Sequence, residues 1–132
     1  MGQSYIKKLY IFNYGGPIAA MLFDDEKEII NVITRFDDRK LIEGMAVVAS
    51  LIKKFHNRTI ISVKNYIGYM GKHYIAIGVP RKEKFAPSIL GVLRRIVIQL
   101  DKVGDAPISL LSKIAMREII KNGLSQYRVR YY

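Results

Sequence analysis

The sequence predicts an α+β domain in which an antiparallel sheet of about five strands carries one helix on one face and two C-terminal helices on the other, in the order β-β-α-β-β-β-α-α. Three observations predict it. Residues 5–13 and 59–79 alternate or run apolar in the manner of strands, while apolar residues recur at three and four through 41–55, 89–103 and 108–119. No repeat, low-complexity tract or Pro/Ser-rich linker interrupts the chain. With 132 residues, half of them hydrophobic and a quarter charged, the composition is that of a folded unit with its own core, which excludes disorder for the body.

The first strand is Tyr5 to Asn13, where Ile6, Lys8, Tyr10 and Phe12 alternate with Tyr5, Lys7, Leu9 and Ile11. Gly15, Gly16 and Pro17 turn the chain, and Ile18 to Phe23 returns as an apolar run covered on both faces, so the two read as a hairpin. Asp24 to Glu28 ends it, and Ile29 to Phe36 fits either a short helix or another strand. Asp37 or Asp38 then caps a helix of about four turns whose stripe is Leu41, Met45, Val48, Ile52 and Phe55. Lys53 and Lys54 sit at its C-terminal end, where cations meet the negative end of the dipole. Thr59 to Tyr66 is β-branched and alternating; Tyr66 to Lys72 and His73 to Val79 complete a meander of two or three strands. After a basic loop, Ser88 is the expected N-cap of a second helix with the seam Ile89, Leu93, Ile96, Leu100 and Val103, stopped by Gly104. Asp105 is expected to start a third, with Pro107 in its first turn, ending near Asn122 and Gly123.

This order, with the hairpin Leu9 to Ile18, the helix containing Leu41 to Ala46 and the meander ending His73 to Ile77, resembles the longin or SNARE-like domains of the profilin-like group, related to the roadblock domains. The resemblance spans residues 5 to 122, placing a longin-like domain at 1–123 and a basic aromatic tail at 124–132. It implies a non-enzymatic protein-interaction scaffold without cofactor, an adaptor or a regulator of a small GTPase, acting as a homo- or heterodimer or by binding another partner. The contact is expected beside the Leu41 to Phe55 helix and its neighbouring strand, with Leu41, Met45, Val48 and Ile52 as its candidate residues. No SNARE-type seam follows Gly123, so fusion by zippering is not implied.

Charge supports a second reading. The net charge is +11, yet residues 1–50 carry six basic and seven acidic side chains, a net −1, and residues 51–132 carry sixteen and four, a net +12. Such a surface attracts nucleic acid, anionic membrane or acidic protein, and Lys enrichment is also a thermophile-like trait. Lys53, Lys54, Arg58, Arg94, Arg95, Arg128 and Arg130 are its candidate binding residues. Gly123, followed six residues later by Val129, resembles a helix-turn-helix, with Gln126, Arg128 and Arg130 toward a major groove. Against it, Ile119 stands where that motif takes Ala; the plain alternative is a tail that extends a helix or adds a strand.

Catalytic and metal signatures are not found. His56 and His73 lie in no ligand spacing, Asp24 to Glu26 reads as a solvated turn, Gly15 and Gly16 open no phosphate loop, and Ser88, Ser109 and Ser112 stand in no nucleophile elbow. Without Cys there is no disulfide or thiolate chemistry, and without a 20-residue apolar run or a signal-like start the expected location is cytoplasmic.

Overall fold

The computed structural model describes residues 4–132. Its elements are β1 (Ile6–Asn13), β2 (Gly16–Asp24), β3 (Ile29–Ile33), α1 (Arg39–Phe55), β4 (Ile60–Val63), β5 (Tyr66–Met70), β6 (Tyr74–Pro80), α2 (Ala86–Val103), α3 (Ile108–Ile120) and β7 (Arg128–Tyr131). They build an α+β fold around one sheet of order β4-β5-β6-β1-β2-β3-β7. The sheet has seven strands where about five are expected, and it is not wholly antiparallel, because β7 runs parallel to β3.

Both extra strands have identifiable causes, one near in sequence and one distant. Residues 29–33 form a strand because Ile29, Ile30 and Val32 are buried and Ile33 to Ile29 pair in register with Ala20 to Asp24. β7 follows because Leu124 and Tyr127 bury beneath the sheet and deliver Arg128 beside Glu28, whose carbonyl accepts the Arg128 N–H at 2.8 Å. At its far end the Tyr132 N–H donates to Val32 O at 2.8 Å, and Thr34 Oγ1 donates to Tyr132 O at 2.8 Å.

Alternation along β1 separates two cores. Leu9 and Ile11 point into a cluster with Ile89, Leu93 and Leu100 of α2 and Leu111 and Met116 of α3. Tyr10 and Phe12 point the other way, into a cluster with Leu41, Met45 and Val48 of α1. Period two in the strand and period 3.6 in the helices therefore meet on opposite sheet faces.

The helix starts differ in one informative way. Asp38 caps α1 as expected, its Oδ1 accepting from the Leu41 N–H at 3.2 Å. Replacing Asp38 by Ala should cost about 1 kcal/mol in urea unfolding, the usual value of a lost N-cap. Ser88 does not cap α2: a 3₁₀ turn at Glu83–Phe85 leads straight into Ala86, and Pro87 occupies the first turn, where its missing N–H is harmless. α3 likewise begins at Ile108 behind Pro107 rather than at Asp105, and Val103 is 42% exposed instead of completing the α2 seam. Among the described residues no helix is long and apolar enough to cross a membrane.

Candidate interaction surface

The expected interface residues on α1 belong to the core. Leu41, Met45 and Val48 are 4%, 6% and 0% exposed against the sheet, and Ile52 packs half-buried beside them, so this stripe is consumed in folding. The part of α1 left in solvent nevertheless has few charges in its middle. Ile42 and Val47 are 49% and 47% exposed, with exposed Ala46, Ala49 and Ser50 between and after them. Two adjoining outward stripes result, Ile42-Ala46-Ala49-Lys53 and Glu43-Val47-Ser50-Lys54, each with i, i+4, i+7, i+11 spacing. Sequence periodicity finds the inward stripe and misses this one because its centre is small rather than large.

The seven candidate cations do not converge on one surface. Lys53, Lys54 and Arg58 flank the passage from α1 into β4, and Lys54 Nζ lies 5.5 Å from the Phe55 ring centroid. Arg94 borders the same end of the sheet from α2, sharing a cleft with Thr59 and Ile60. Arg95 is spent on Asn122, its Nη2 donating to Oδ1 at 2.9 Å. Arg128 and Arg130 sit on β7, at the opposite end of the strand order; six strand intervals separate the two groups by about 29 Å. Residues 128–131 are a strand, so the helix-turn-helix reading is overturned: Gly123 is followed by sheet pairing and no recognition helix forms.

Two polar clusters that sequence reading missed hold the loops. Asp25, expected in a solvated turn, is the hub of the first. Its Oδ1 accepts from Ser4 Oγ and Tyr127 OH, both at 2.6 Å, and from the Ser4 N–H at 3.2 Å. Arg81 Nε forms an ion pair with Oδ2 at 2.7 Å and donates to Ser4 Oγ at 3.2 Å, while its Nη2 donates to Phe23 O at 2.6 Å. Burial alone raises a carboxyl pKa, but here the hydrogen bonds of Ser4 and Tyr127 and the Arg81 charge outweigh it and hold Asp25 below its usual range. Burial and the neighbouring carboxylate push the Tyr127 phenol up to about 12. In the second cluster Asp101 accepts the backbone N–H groups of Lys72, His73 and Tyr74 at 2.8, 2.9 and 3.1 Å, and so fixes the turn before β6.

Neither histidine is buried: His73 is exposed and its backbone N–H donates to Asp101, and His56 stands at the end of α1 with Nδ1 3.0 Å from Lys53 O. Among the described residues no group of three or more His, Asp or Glu side chains lies close enough together to hold a metal ion. No family model, curated protein or solved structure matches this chain.

Proposed function

We propose that the protein is a non-enzymatic, longin-like interaction scaffold that pairs with a second copy of itself through the outer face of α1. The reading rests on the sequence resemblance, on a sheet with α1 over one face and α2 and α3 over the other, and above all on the self-complementarity of that helix face. Glu43 and Lys54 are eleven residues apart, about three turns, and so lie on one side of the helix. A two-fold axis near the middle of α1 sets two such helices antiparallel, with Glu43 of each protomer opposite Lys54 of its partner. Ala46, Ala49 and Ser50 at the crossing let the backbones approach closely, and Ile42 and Val47 fill the flanks. An isologous contact needs this property, since one patch must serve as both donor and acceptor. Dimers of this kind would serve as adaptors or as regulators of a partner such as a small GTPase.

Light scattering over a concentration series tests the pairing. The wild type is expected to dimerise, and Glu43→Lys and Lys54→Glu should each weaken the dimer by about tenfold, a charge reversal being worth roughly 1 kcal/mol or more. The double variant Glu43→Lys/Lys54→Glu should restore it. A wild type that stays monomeric at high concentration, or a dimer indifferent to both reversals, rejects the reading.

A further inference from the structure

At the other margin of the molecule an edge strand lies beside an open slot. β4 ends the strand order, so one side of it meets no neighbour among the described residues. The Met70 N–H donates to Thr59 O at 2.7 Å. In the alternating antiparallel pattern, Thr59, Ile61 and Val63 therefore turn their backbone groups toward β5, and Ile60 and Ser62 turn theirs outward. Two amides and two carbonyls stand ready to pair with an added strand.

The α2 side of this edge carries a recess to match. Ile60, 48% exposed, and Tyr69 form one wall of a cleft of about 450 Å³, and Pro87 and Leu90 of α2 form the other. Arg94 stands at its end, exposed and with no hydrogen bond or ion pair among the described residues. A second cleft of about 480 Å³ continues along the same strand past Ser62 to Lys64 and Lys82, with Glu83 as its single acid. The apolar middle is thus bracketed by cations: Arg58 and Arg94 at the start of β4, Lys64 and Lys82 at its finish.

We propose that this slot binds an extended segment of a partner protein, added to the sheet as an eighth strand beside β4, with a β-branched apolar centre and acidic residues at both ends. Main-chain pairing supplies affinity and the slot supplies selectivity, as in other strand-addition sites. The charges argue against a second copy of this chain as occupant. Antiparallel β4 to β4 pairing through Ile60 and Ser62 sets Arg58 of one copy opposite Lys64 of the other, and like charges directly opposed destabilise a sheet. The same cations guard the edge against self-association. The site is on the sheet face away from α1 and does not depend on the dimer proposed above.

The probe is a fluorescein-labelled peptide with a short Val/Thr/Ile centre and glutamates on both flanks; a lysine-flanked version and an oligothymidylate serve as comparisons. The acidic peptide should bind and should slow hydrogen exchange of the Ile60 and Ser62 amides in NMR spectra. Arg94→Glu, at an exposed helix position, should weaken binding about tenfold. Ser62→Pro removes an outward N–H without touching the β4–β5 ladder and should do the same. Val47→Glu, on the other face, should leave peptide affinity unchanged whether or not the protein dimerises. The proposal is overturned by no binding of the acidic peptide, by equal binding of the lysine-flanked peptide, by tighter binding of the oligothymidylate, or by an affinity that Arg94→Glu leaves intact.

Discussion

Replacing Val48 by aspartate should leave the protein largely unfolded at 25 °C, while the same replacement one residue earlier, at Val47, should leave it folded. Val48 is 0% exposed between α1 and the sheet, and Val47 is 47% exposed. At position 48 the change removes an apolar side chain worth about 1.5–3 kcal/mol of burial. It also forces a carboxyl group with no cation beside it into the cluster of Tyr10, Phe12, Ile75 and Ile77, adding several kcal/mol more. A total near 5 kcal/mol consumes most of the stability of an ordinary domain. At position 47 the cost should stay within about 0.5 kcal/mol, the usual surface range, when measured at dilutions where the monomer predominates. Circular dichroism in a urea series distinguishes the two, and similar losses at both positions would contradict the inward and outward faces described for α1.

The second large effect belongs to Asp25. Asp25→Ala removes at once an acceptor shared by two hydroxyls, one backbone N–H and the Arg81 guanidinium, which should cost about 3 kcal/mol. Its pH dependence has two sides. The Asp25 carboxyl is held below its unfolded value, so its contribution is complete above about pH 4 and is lost as pH falls through the lower folded value. The Tyr127 phenol is raised from 10.0 to about 12, so its contribution is complete below pH 10 and is lost as pH rises through that interval. Tyr127→Phe should therefore be less stable than wild type by about 1 kcal/mol at neutral pH, with the gap narrowing in strong alkali and also in acid. A gap that stays constant with pH would separate Tyr127 from the carboxylate.

Much of the fold was legible because periodicity is a local property. The α1 stripe, the first hairpin and the β4–β6 meander each announce themselves within a window shorter than the element's own length. β7 does not: Arg128-Val129-Arg130-Tyr131 holds little apolar alternation, and its strand character comes from β3, nearly a hundred residues earlier in the chain. The expected Ser88 cap fails for a related reason, since the 3₁₀ turn at Glu83–Phe85, which no capping preference reveals, starts the helix three residues sooner. At the candidate surfaces the limit was different. Leu41, Met45 and Val48 show the same stripe whether they face a sheet or a partner, and only the position of the sheet decides that they are core. Cations counted as one excess on the chain are parted by the strand order, and Asp25, unremarkable in an acidic turn, gains its role from Ser4, Arg81 and Tyr127, which no spacing rule connects to it.

The parallel pairing of β3 with β7 also bears on how the chain is made. Thr34 and Tyr132 are bonded across 98 residues, so on the ribosome β3 emerges well before β7 and presents its apolar Ile29, Ile30, Val32 and Ile33 as an open margin until β7 follows. A growing chain in that state is adhesive in a way the finished one is not. Sealing of that margin waits for β7, and the interval before it is when nascent copies are most prone to join one another by the wrong strands.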